Sequence, residues 1–305
     1  MIIGALVGAT AVGKTRMGVA IARELNAEII STDSRQIYAE TAIGSSQPSK
    51  EDRGGIVHHL MGFLSPAQAY SVAAFCRDVH DLVQENPDQA FLLVGGTGLY
   101  LQALMLGLSP LPEIEPSLRV RLESIRQRRG LAFLHRWLAH VDPVIGSRLS
   151  PGDSQRILRG LEVYLQTGKL WSSFQGMRQG GMGSFPVAWM DRPREELYRR
   201  IDLRTHSMVR MGWIEETEHL IKNYAQDVPA LQGLGYHHLI QVLEGKVPLD
   251  QAIPEIQQET RNYAKRQLTW FRNKSSAQYF LVSEGAEIAE ISPFLTFFKS
   301  FRKIP

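Results

Sequence analysis

Strand-like clusters of apolar residues occur four times along the chain, at Ile2–Val7, Glu28–Ser31, Phe91–Val94 and Phe185–Met190. Short runs of this kind, bounded by polar and glycine residues, are typical of strands in the interior of a sheet. Between the first three runs the apolar positions recur at helical spacing, as they do from Met17 to Leu25. Strands that alternate with helices predict an α/β fold, with a parallel sheet covered by helices on both faces.

The pattern changes in the second hundred residues. From Pro116 to about His140 the spacing is helical and rich in charge, with no strand signal. We therefore predict a helical insertion over residues 112–150, within a core made of residues 1–111 and 151–305. Beyond the fourth strand-like run the spacing again predicts several helices, so the C-terminal part of this core is expected to be helical.

Composition narrows the class of protein. A chain of 305 residues that is 44% hydrophobic can bury a substantial core, and its single cysteine, Cys76, excludes an internal disulfide bond. We find neither a basic, cleavable leader nor an apolar run of the roughly 20 residues that a membrane span requires. The expectation is a cytoplasmic protein without a membrane partner. The net charge of +3 only mildly favours a polyanionic binding partner.

The most specific motif follows the first strand-like run. It fits the phosphate-binding pattern G-x-x-x-x-G-K-[ST] with the residues Gly8, Ala9, Thr10, Ala11, Val12, Gly13, Lys14 and Thr15. Such a loop directs backbone N–H groups and a helix N-terminus at an anion. Lys14 adds a positive charge, and Thr15 offers a hydroxyl to Mg²⁺. The loop therefore predicts a site for a di- or triphosphate.

Two further segments follow strand-like runs and should lie beside this loop, because ligands bind at the carboxyl ends of parallel strands. Asp33 follows the second run, where it is a candidate metal ligand, a candidate general base or the N-cap of a helix. The third run leads into Gly95–Tyr100, where a motor-type ATPase would usually have a metal-linked aspartate. The glycines there suit either a closely approaching ligand or an ordinary turn. The lack of an acidic residue at this point argues against ATP hydrolysis as the main activity.

Cations are concentrated in two later segments. Thr260–Arg272 interleaves cations with aromatic residues, and on a helix Arg261, Lys265 and Arg272 fall near one face. This face would suit a phosphodiester backbone, or equally a solvated surface over buried aromatic rings. Gln155–Arg159 places two arginines three residues apart, which suits either RNA or structural ion pairs.

Taken in order, these segments resemble the tRNA dimethylallyltransferase family. The resemblance covers nearly the whole chain, from Gly8 to about Arg272. The matching motifs are Gly8–Thr15, Asp33-Ser34-Arg35-Gln36-Ile37-Tyr38, His58-His59-Leu60, Gly95–Tyr100, Asp142-Pro143, Gln155–Arg159 and Thr260–Arg272.

The resemblance implies a P-loop NTPase-like core and transfer of a dimethylallyl group from dimethylallyl diphosphate to N6 of adenosine 37 in tRNA. The phosphate loop would then hold the leaving diphosphate with Mg²⁺, and Arg204 would add a contact to it. Catalytic roles fall to Asp33, as acceptor of the N6 proton, and to Thr10 and Lys14.

Contacts to tRNA are implied at the matching positions. These are Asp33, Ser34, Arg35, Gln36, Thr97, Arg119, Gln155, Arg156, Ile157, Leu158, Arg159, Lys265, Arg266, Gln267, Leu268, Thr269, Trp270, Phe271 and Arg272. The resemblance also implies that the insertion clamps the anticodon stem-loop and that the protein is a monomer.

Two other classes of function fit part of the sequence. A small-molecule kinase shares the phosphate loop and an early aspartate, but it needs ATP as donor and has no use for the cationic segment near the C-terminus. An RNA-binding protein regulated by a nucleotide would use that segment, but would not depend on the Asp33 carboxylate for its activity.

Overall fold

The computed structural model divides into two compact units. It describes residues 1–274, 276–283 and 291–301. The core unit comprises residues 1–105 and 183–305, and the inserted unit comprises residues 106–182. Residues 112–150 lie within the inserted unit, which extends beyond them at both ends.

A six-stranded sheet organises the core unit. Its strands are β1 (Ile2–Gly8), β2 (Ala27–Ser31), β3 (His58–His59), β4 (Ala90–Gly95), β5 (Val187–Asp191) and β6 (Gln278–Leu281). The strands lie in the order β3-β2-β4-β1-β5-β6, and every neighbouring pair is parallel. All residues of β5 and all but the first of β1 are buried, so both faces of the sheet centre are covered. The predicted α/β fold with a parallel sheet is confirmed.

The four strands predicted from apolar runs are present, with ends that shift by one or two residues. The fourth begins at Val187 instead of Phe185. The two outermost strands were not predicted. β3 has only two residues, and the side chains of β6 are largely exposed, so neither carries a run of buried apolar positions.

The core unit also contains several helices. They are α1 (Lys14–Glu24), α2 (Val72–Glu85), α3 (Gly98–Leu106) and, after the inserted unit, α8 (Arg194–Arg210), α9 (Trp213–Asn223), α10 (Tyr236–Leu243), α11 (Leu249–Lys274) and α12 (Ile291–Phe301). One hydrophobic core joins Leu6 of β1 to Met17, Ile201, Ala264 and Phe298 from four of these helices. Within the described ranges, no helix is both long enough and apolar enough to cross a membrane.

The inserted unit has its own hydrophobic core. Its helices are α4 (Pro116–Arg129), α5 (Leu131–Val141), α6 (Pro143–Gly146) and α7 (Ser154–Thr167). Leu122, Leu134, Leu138, Ile157 and Leu161 are buried together between α4, α5 and α7. The Asp142–Pro143 pair begins α6, because the Asp142 carboxylate caps it by accepting a hydrogen bond from the N–H of Ile145.

A buried ion pair crosses this unit from α4 to α7. The guanidinium of Arg119 makes two hydrogen bonds to the Glu162 carboxylate, one of them 2.8 Å long. The Glu162 side chain is fully buried, and Arg159 approaches the same carboxylate at 3.9 Å. Arg159 also donates a hydrogen bond to the carbonyl of Pro112.

Removal of Arg119 should therefore destabilise the protein. In Arg119→Ala the Glu162 carboxylate stays buried with only the distant Arg159 beside it. Loss of one partner of a buried pair costs about 3–5 kcal/mol, and we expect about 1–3 kcal/mol because Arg119 is half exposed. Chemical denaturation of the full chain measures the change. Arg156→Ala is the matched control, because Arg156 pairs with Asp153 on the surface. Equal stability of the two variants would contradict the expectation.

Candidate functional site: a phosphate loop beside a carboxylate

The phosphate loop connects β1 to α1, the position that its motif predicts. Gly13, the N-cap of α1, has φ of 107°, a left-handed conformation that favours glycine. Ala11 also lies in the left-handed region, with φ of 64°. The Lys14 ammonium folds back over the loop and donates hydrogen bonds to the carbonyls of Gly8, at 3.0 Å, and Ala9, at 2.7 Å.

Two arginines, one just before α8 and one within it, hold two further loop carbonyls. Arg200 donates to the carbonyl of Ala11 at 2.9 Å, and Arg192 donates to that of Val12 at 2.6 Å. The first N–H groups of α1 have no acceptors within the helix. With its carbonyls bound to cations and a helix N-terminus at its end, the loop is suited to an anion.

Arg204 lies at the same loop. Its guanidinium donates a 2.6 Å hydrogen bond to the Thr10 hydroxyl, so the prediction that Arg204 approaches the loop agrees with the geometry. Burial lowers the pKa of Arg204 to about 10, although Asp33 opposes this effect, and the side chain stays cationic at neutral pH.

Burial also lowers the pKa of Lys14, to about 8; Asp33 opposes this shift and Arg204 adds to it. Lys14 is therefore charged below about pH 8 and increasingly neutral above it. A bound diphosphate favours the charged form and must raise this pKa.

Diphosphate affinity should accordingly depend on pH in the alkaline range. We expect the Kd of diphosphate to be constant below about pH 7.5 and to rise above pH 8, by up to about tenfold for each further pH unit. Calorimetric titration between about pH 7 and 9.5 measures it. Lys14→Met should bind more weakly and lose this dependence. A wild-type affinity that stays flat across the range would contradict the assignment.

Asp33 lies just beyond the end of β2. Ser31 pairs with Val94 of β4, and the N–H of Thr32 donates to the Val94 carbonyl at 2.9 Å. This pairing brings the loops after the two strands together, and the N–H of Ser34 donates to the Thr97 hydroxyl at 3.1 Å. The Asp33 carboxylate accepts a hydrogen bond from the N–H of Arg35. The N-cap alternative for Asp33 is wrong, because the next helix, α2, begins only at Val72.

The glycines after β4 have a cause that the sequence did not show. A Cβ atom on Gly96 would lie 2.2 Å from the Gln267 amide nitrogen, and one on Gly98 would lie 2.3 Å from the Trp270 ring. Both clashing side chains belong to α11. These two glycines therefore admit a helix of the protein itself, a cause that neither the ligand nor the ordinary turn considered from the sequence includes.

Gln267 ties this turn to the phosphate loop. Its side-chain oxygen accepts a hydrogen bond from the N–H of Thr10 at 2.8 Å, and its amide donates to the Gly96 carbonyl at 2.9 Å. The residue is buried, with 6% of its surface exposed. It positions the loop, and its side chain is unavailable to tRNA in this structure.

Gln267→Ala should loosen the loop without removing a charge. One buried and one partly buried backbone group lose their partners, at a cost of about 1–3 kcal/mol in the free energy of unfolding. We also expect the Kd of diphosphate to rise by about tenfold. Denaturation and calorimetry measure the two changes. Gln258→Ala, an exposed position on the same helix, is the control. An unchanged diphosphate affinity would exclude the positioning role.

One cavity of about 280 Å³ adjoins these groups. Thr10, Asp33 and Arg204 line it on the polar side. Apolar side chains also line it, from a second hydrophobic cluster of the core unit: Met208, Trp213, Tyr236 and Ile256. The cavity thus combines a cationic, phosphate-loop region, a carboxylate and an apolar wall.

The predicted tRNA positions fall into two groups by exposure. Several are exposed or partly exposed and carry polar or aromatic groups: Arg35, Lys265, Arg266, Thr269, Trp270 and Arg272 in the core unit, and Gln155 and Arg156 in the inserted unit. Others have buried side chains, namely Ile157, Leu158 and Phe271, and Leu268 packs against the main core. These apolar side chains pack their helices against the protein interior, so contact with RNA through them is not supported.

Two more predicted positions are held by the protein itself. Gln36 donates a 3.0 Å hydrogen bond to the Ser46 carbonyl and accepts one from the Ser31 hydroxyl. Arg119 is engaged by Glu162 within the inserted unit, as described above.

Sequence reasoning missed Arg192 and Arg200 as supports of the loop. The only signal was the placement of Arg200 one helical turn before Arg204.

A parallel sheet whose first strand leads through this loop into a helix defines the class of phosphate-loop α/β proteins. Comparison with known proteins narrows the class. The family model described as IPP transferase matches residues 36–274, and the chain belongs to this family.

Relatives of this chain cover nearly its whole length. It is similar to a tRNA dimethylallyltransferase of Heliobacterium modesticaldum, with 42% identity over 90% of this chain and 88% of that protein. A tRNA dimethylallyltransferase of Geobacillus kaustophilus is 38% identical over 94% of this chain and 92% of its own length. The solved structure of a tRNA isopentenylpyrophosphate transferase from Bacillus halodurans has a TM-score of 0.72 and 32% identity, covering 98% of this chain and 95% of that one.

Proposed function

We propose that this protein transfers a dimethylallyl group from dimethylallyl diphosphate to the N6 amine of adenosine 37 in tRNA. The observation that carries the proposal is the single cavity in which Asp33 faces the same space as Thr10 and Arg204. A proton acceptor thus stands beside a site for a diphosphate. Membership of the IPP transferase family supports the choice of donor and acceptor.

The reaction makes one bond and breaks another. The N6 nitrogen forms a bond to the allylic C1 carbon, while the bond from C1 to the diphosphate oxygen breaks and its electron pair leaves with the diphosphate. The N6 amine is a weak nucleophile, because its lone pair is delocalised into the ring. The Asp33 carboxylate accepts the N6 proton as the new bond forms, which prevents a build-up of positive charge on nitrogen.

The phosphate loop stabilises the leaving group. Negative charge develops on the bridging oxygen as the C–O bond breaks, and Lys14, Arg204 and the N–H groups at the start of α1 lie around the loop that holds it. Preorganised donors of this kind lower the barrier most where charge develops. The Thr10 hydroxyl, held by Arg204, offers a further polar contact on the same side of the cavity.

The loop also fits Mg²⁺. Thr15 is the second residue of α1, and its hydroxyl is a hard oxygen donor of the type that Mg²⁺ prefers, together with substrate phosphate oxygens and water. Thr15 would therefore be the protein ligand. When bound, the ion would neutralise part of the diphosphate charge.

The apolar wall of the cavity suits the dimethylallyl group. Met208, Trp213, Tyr236 and Ile256 offer side chains without net charge, against which five carbons can be buried. Burial of that group also keeps water away from the allylic carbon, where it would compete with N6 as a nucleophile.

Exposed cations and aromatics supply surfaces for tRNA, which we propose separately for each unit. In the core unit these are Lys265, Arg266, Trp270 and Arg272 on α11, and Arg35 in the loop after β2. In the inserted unit, Arg128, Arg129 and Arg136 with Phe133 and Trp137 line an open depression between α4 and α5. Cations bind a phosphodiester backbone, and the aromatic rings between them can stack against bases.

We further propose that the protein acts in the cytoplasm as a monomer.

The test is transfer of label to RNA. Purified protein is incubated with Mg²⁺, labelled dimethylallyl diphosphate and an unmodified tRNA transcript that carries adenosine 37. We expect label at that nucleotide, and none in a matched transcript with guanosine 37. Absence of label from both transcripts, together with ATP-dependent phosphorylation of a small metabolite, would overturn the proposal in favour of a kinase.

A further inference from the structure

A cluster of metal-binding side chains lies outside the cavity described above. His237 and His238 stand side by side near the start of α10, and Glu259 faces them from α11. One donor atom from each of the three lies within 4.8 Å of the other two. All three residues belong to the core unit, and none of them lines the catalytic cavity.

The spacing is close to that of a coordination sphere. Bonds of about 2.0–2.1 Å in a tetrahedral zinc site place neighbouring ligand atoms about 3.3 Å apart. His238 Nε2 lies 3.6 Å from Glu259 Oε2, so these two need only a small shift. The His237 ring lies against that of His238, with centroids 3.8 Å apart, and its side chain is exposed.

Two buried polar atoms of this cluster, His238 Nδ1 and Glu259 Oε2, have no hydrogen-bond partner among the described residues. Glu259 Oε2 is shielded from solvent, yet no described residue donates a hydrogen bond to it. A second carboxylate, Glu255, stands one helical turn before Glu259 and lies 3.2 Å from the other nitrogen of the His238 ring. A carboxylate behind a histidine is the arrangement that orients metal-bound imidazoles.

We propose that His237, His238 and Glu259 bind a divalent transition-metal ion of the zinc type. Two imidazoles and one carboxylate suit zinc, whereas Mg²⁺ prefers an all-oxygen shell. His238 ligates through Nε2, and a small rotation of the ring would let Nδ1 donate a hydrogen bond to Glu255. Water completes the coordination sphere. This site is separate from the proposed Mg²⁺ site at Thr15 and does not depend on the proposed reaction.

The bound ion would cross-link α10 and α11 through its ligands. Glu259 is one helical turn before Tyr263 and two turns before Arg266 and Gln267 on the same helix, and Gln267 holds the phosphate loop. A ligand that binds the folded chain alone raises its thermal stability. We therefore expect zinc to raise the melting temperature by several degrees.

The experiment uses untagged full-length protein, stripped with a chelator and titrated with zinc alone in a calorimeter. We expect one zinc ion per chain with micromolar or tighter affinity, even in the presence of excess Mg²⁺. Absence of binding in the micromolar range would overturn the proposal, as would competition by Mg²⁺.

Two substitutions assign the ligands. His237→Ala removes an exposed side chain, and Glu259→Gln keeps the shape of the other ligand, so both variants should fold. Each should weaken zinc binding by at least about tenfold and abolish the shift in melting temperature. His219→Ala is the matched control, because His219 pairs with Glu40 elsewhere on the same unit. If zinc affinity falls in only one of the two variants, or falls equally in the control, this ligand set is contradicted. The metal-free melting temperatures show whether each variant is folded.

Discussion

Asp33→Asn should lower kcat by about 10²–10⁴ while the affinity for tRNA changes little. The factor is the usual contribution of a general base, and the Asp33 carboxylate is the group that we assign to the N6 proton. Asparagine keeps the size of the side chain, and its carbonyl can still accept the hydrogen bond that the Arg35 N–H now donates to Asp33. The loop after β2 should therefore keep its shape, and only the proton acceptor is lost.

Steady-state transfer of label, which gives kcat, and tRNA binding are the two measurements for this variant. Asp33 also opposes the lowering of the Lys14 pKa, so its removal should leave Lys14 less protonated near pH 8. The comparison should accordingly be made near pH 7, with diphosphate affinity measured alongside. Asp52→Asn, on the surface of the same unit, is the control. A variant that keeps wild-type kcat would exclude the general-base role. Equal losses of kcat and of tRNA affinity would point to a binding role instead.

The parallel sheet and the phosphate loop could be predicted because their signals are local. Residues Ile2–Val7 carry an apolar run, and Gly8–Thr15 carry glycines and a lysine at fixed spacing, so neither needs information from the rest of the chain. The same reasoning placed Asp33 beside the loop, since parallel strands end at one edge of a sheet. The pairing of Ser31 with Val94 confirms that the loops after β2 and β4 are neighbours.

The contacts that position the loop could not be predicted, because their partners are distant in sequence. Gln267 is 257 residues from Thr10 and reaches it only because α11 packs beside the loop. The role of Gly96 and Gly98 could not be predicted for the same reason. The helix that packs against them, α11, is distant in sequence and leaves no signal in the residues around them. The alternation of cations and aromatics on α11 also made its buried face difficult to identify from the sequence. Gln267 and Phe271 point inward there, whereas Lys265 and Arg272 are exposed.

The second large effect is expected at Lys14. In Lys14→Met, kcat/KM for dimethylallyl diphosphate should fall by about 10²–10³, because one preorganised cation at the leaving group is lost. The ammonium also holds the carbonyls of Gly8 and Ala9, which would otherwise present negative dipoles to the diphosphate. Methionine retains the unbranched apolar stem. Lys14→Arg should not restore the rate, since a planar guanidinium does not fit the place of a compact ammonium.

Kinetics at saturating tRNA, with inhibition by product diphosphate, separate the two contributions of Lys14. If the lysine stabilises charge that develops as the C–O bond breaks, kcat falls more than the affinity for diphosphate does. If it only binds the ground state, KM and the inhibition constant rise together and kcat is kept. Lys222→Met on the surface of α9, where Lys222 pairs with Glu218, controls for the loss of a lysine. We expect the first pattern, since the charge on the bridging oxygen is larger in the transition state than in the bound donor.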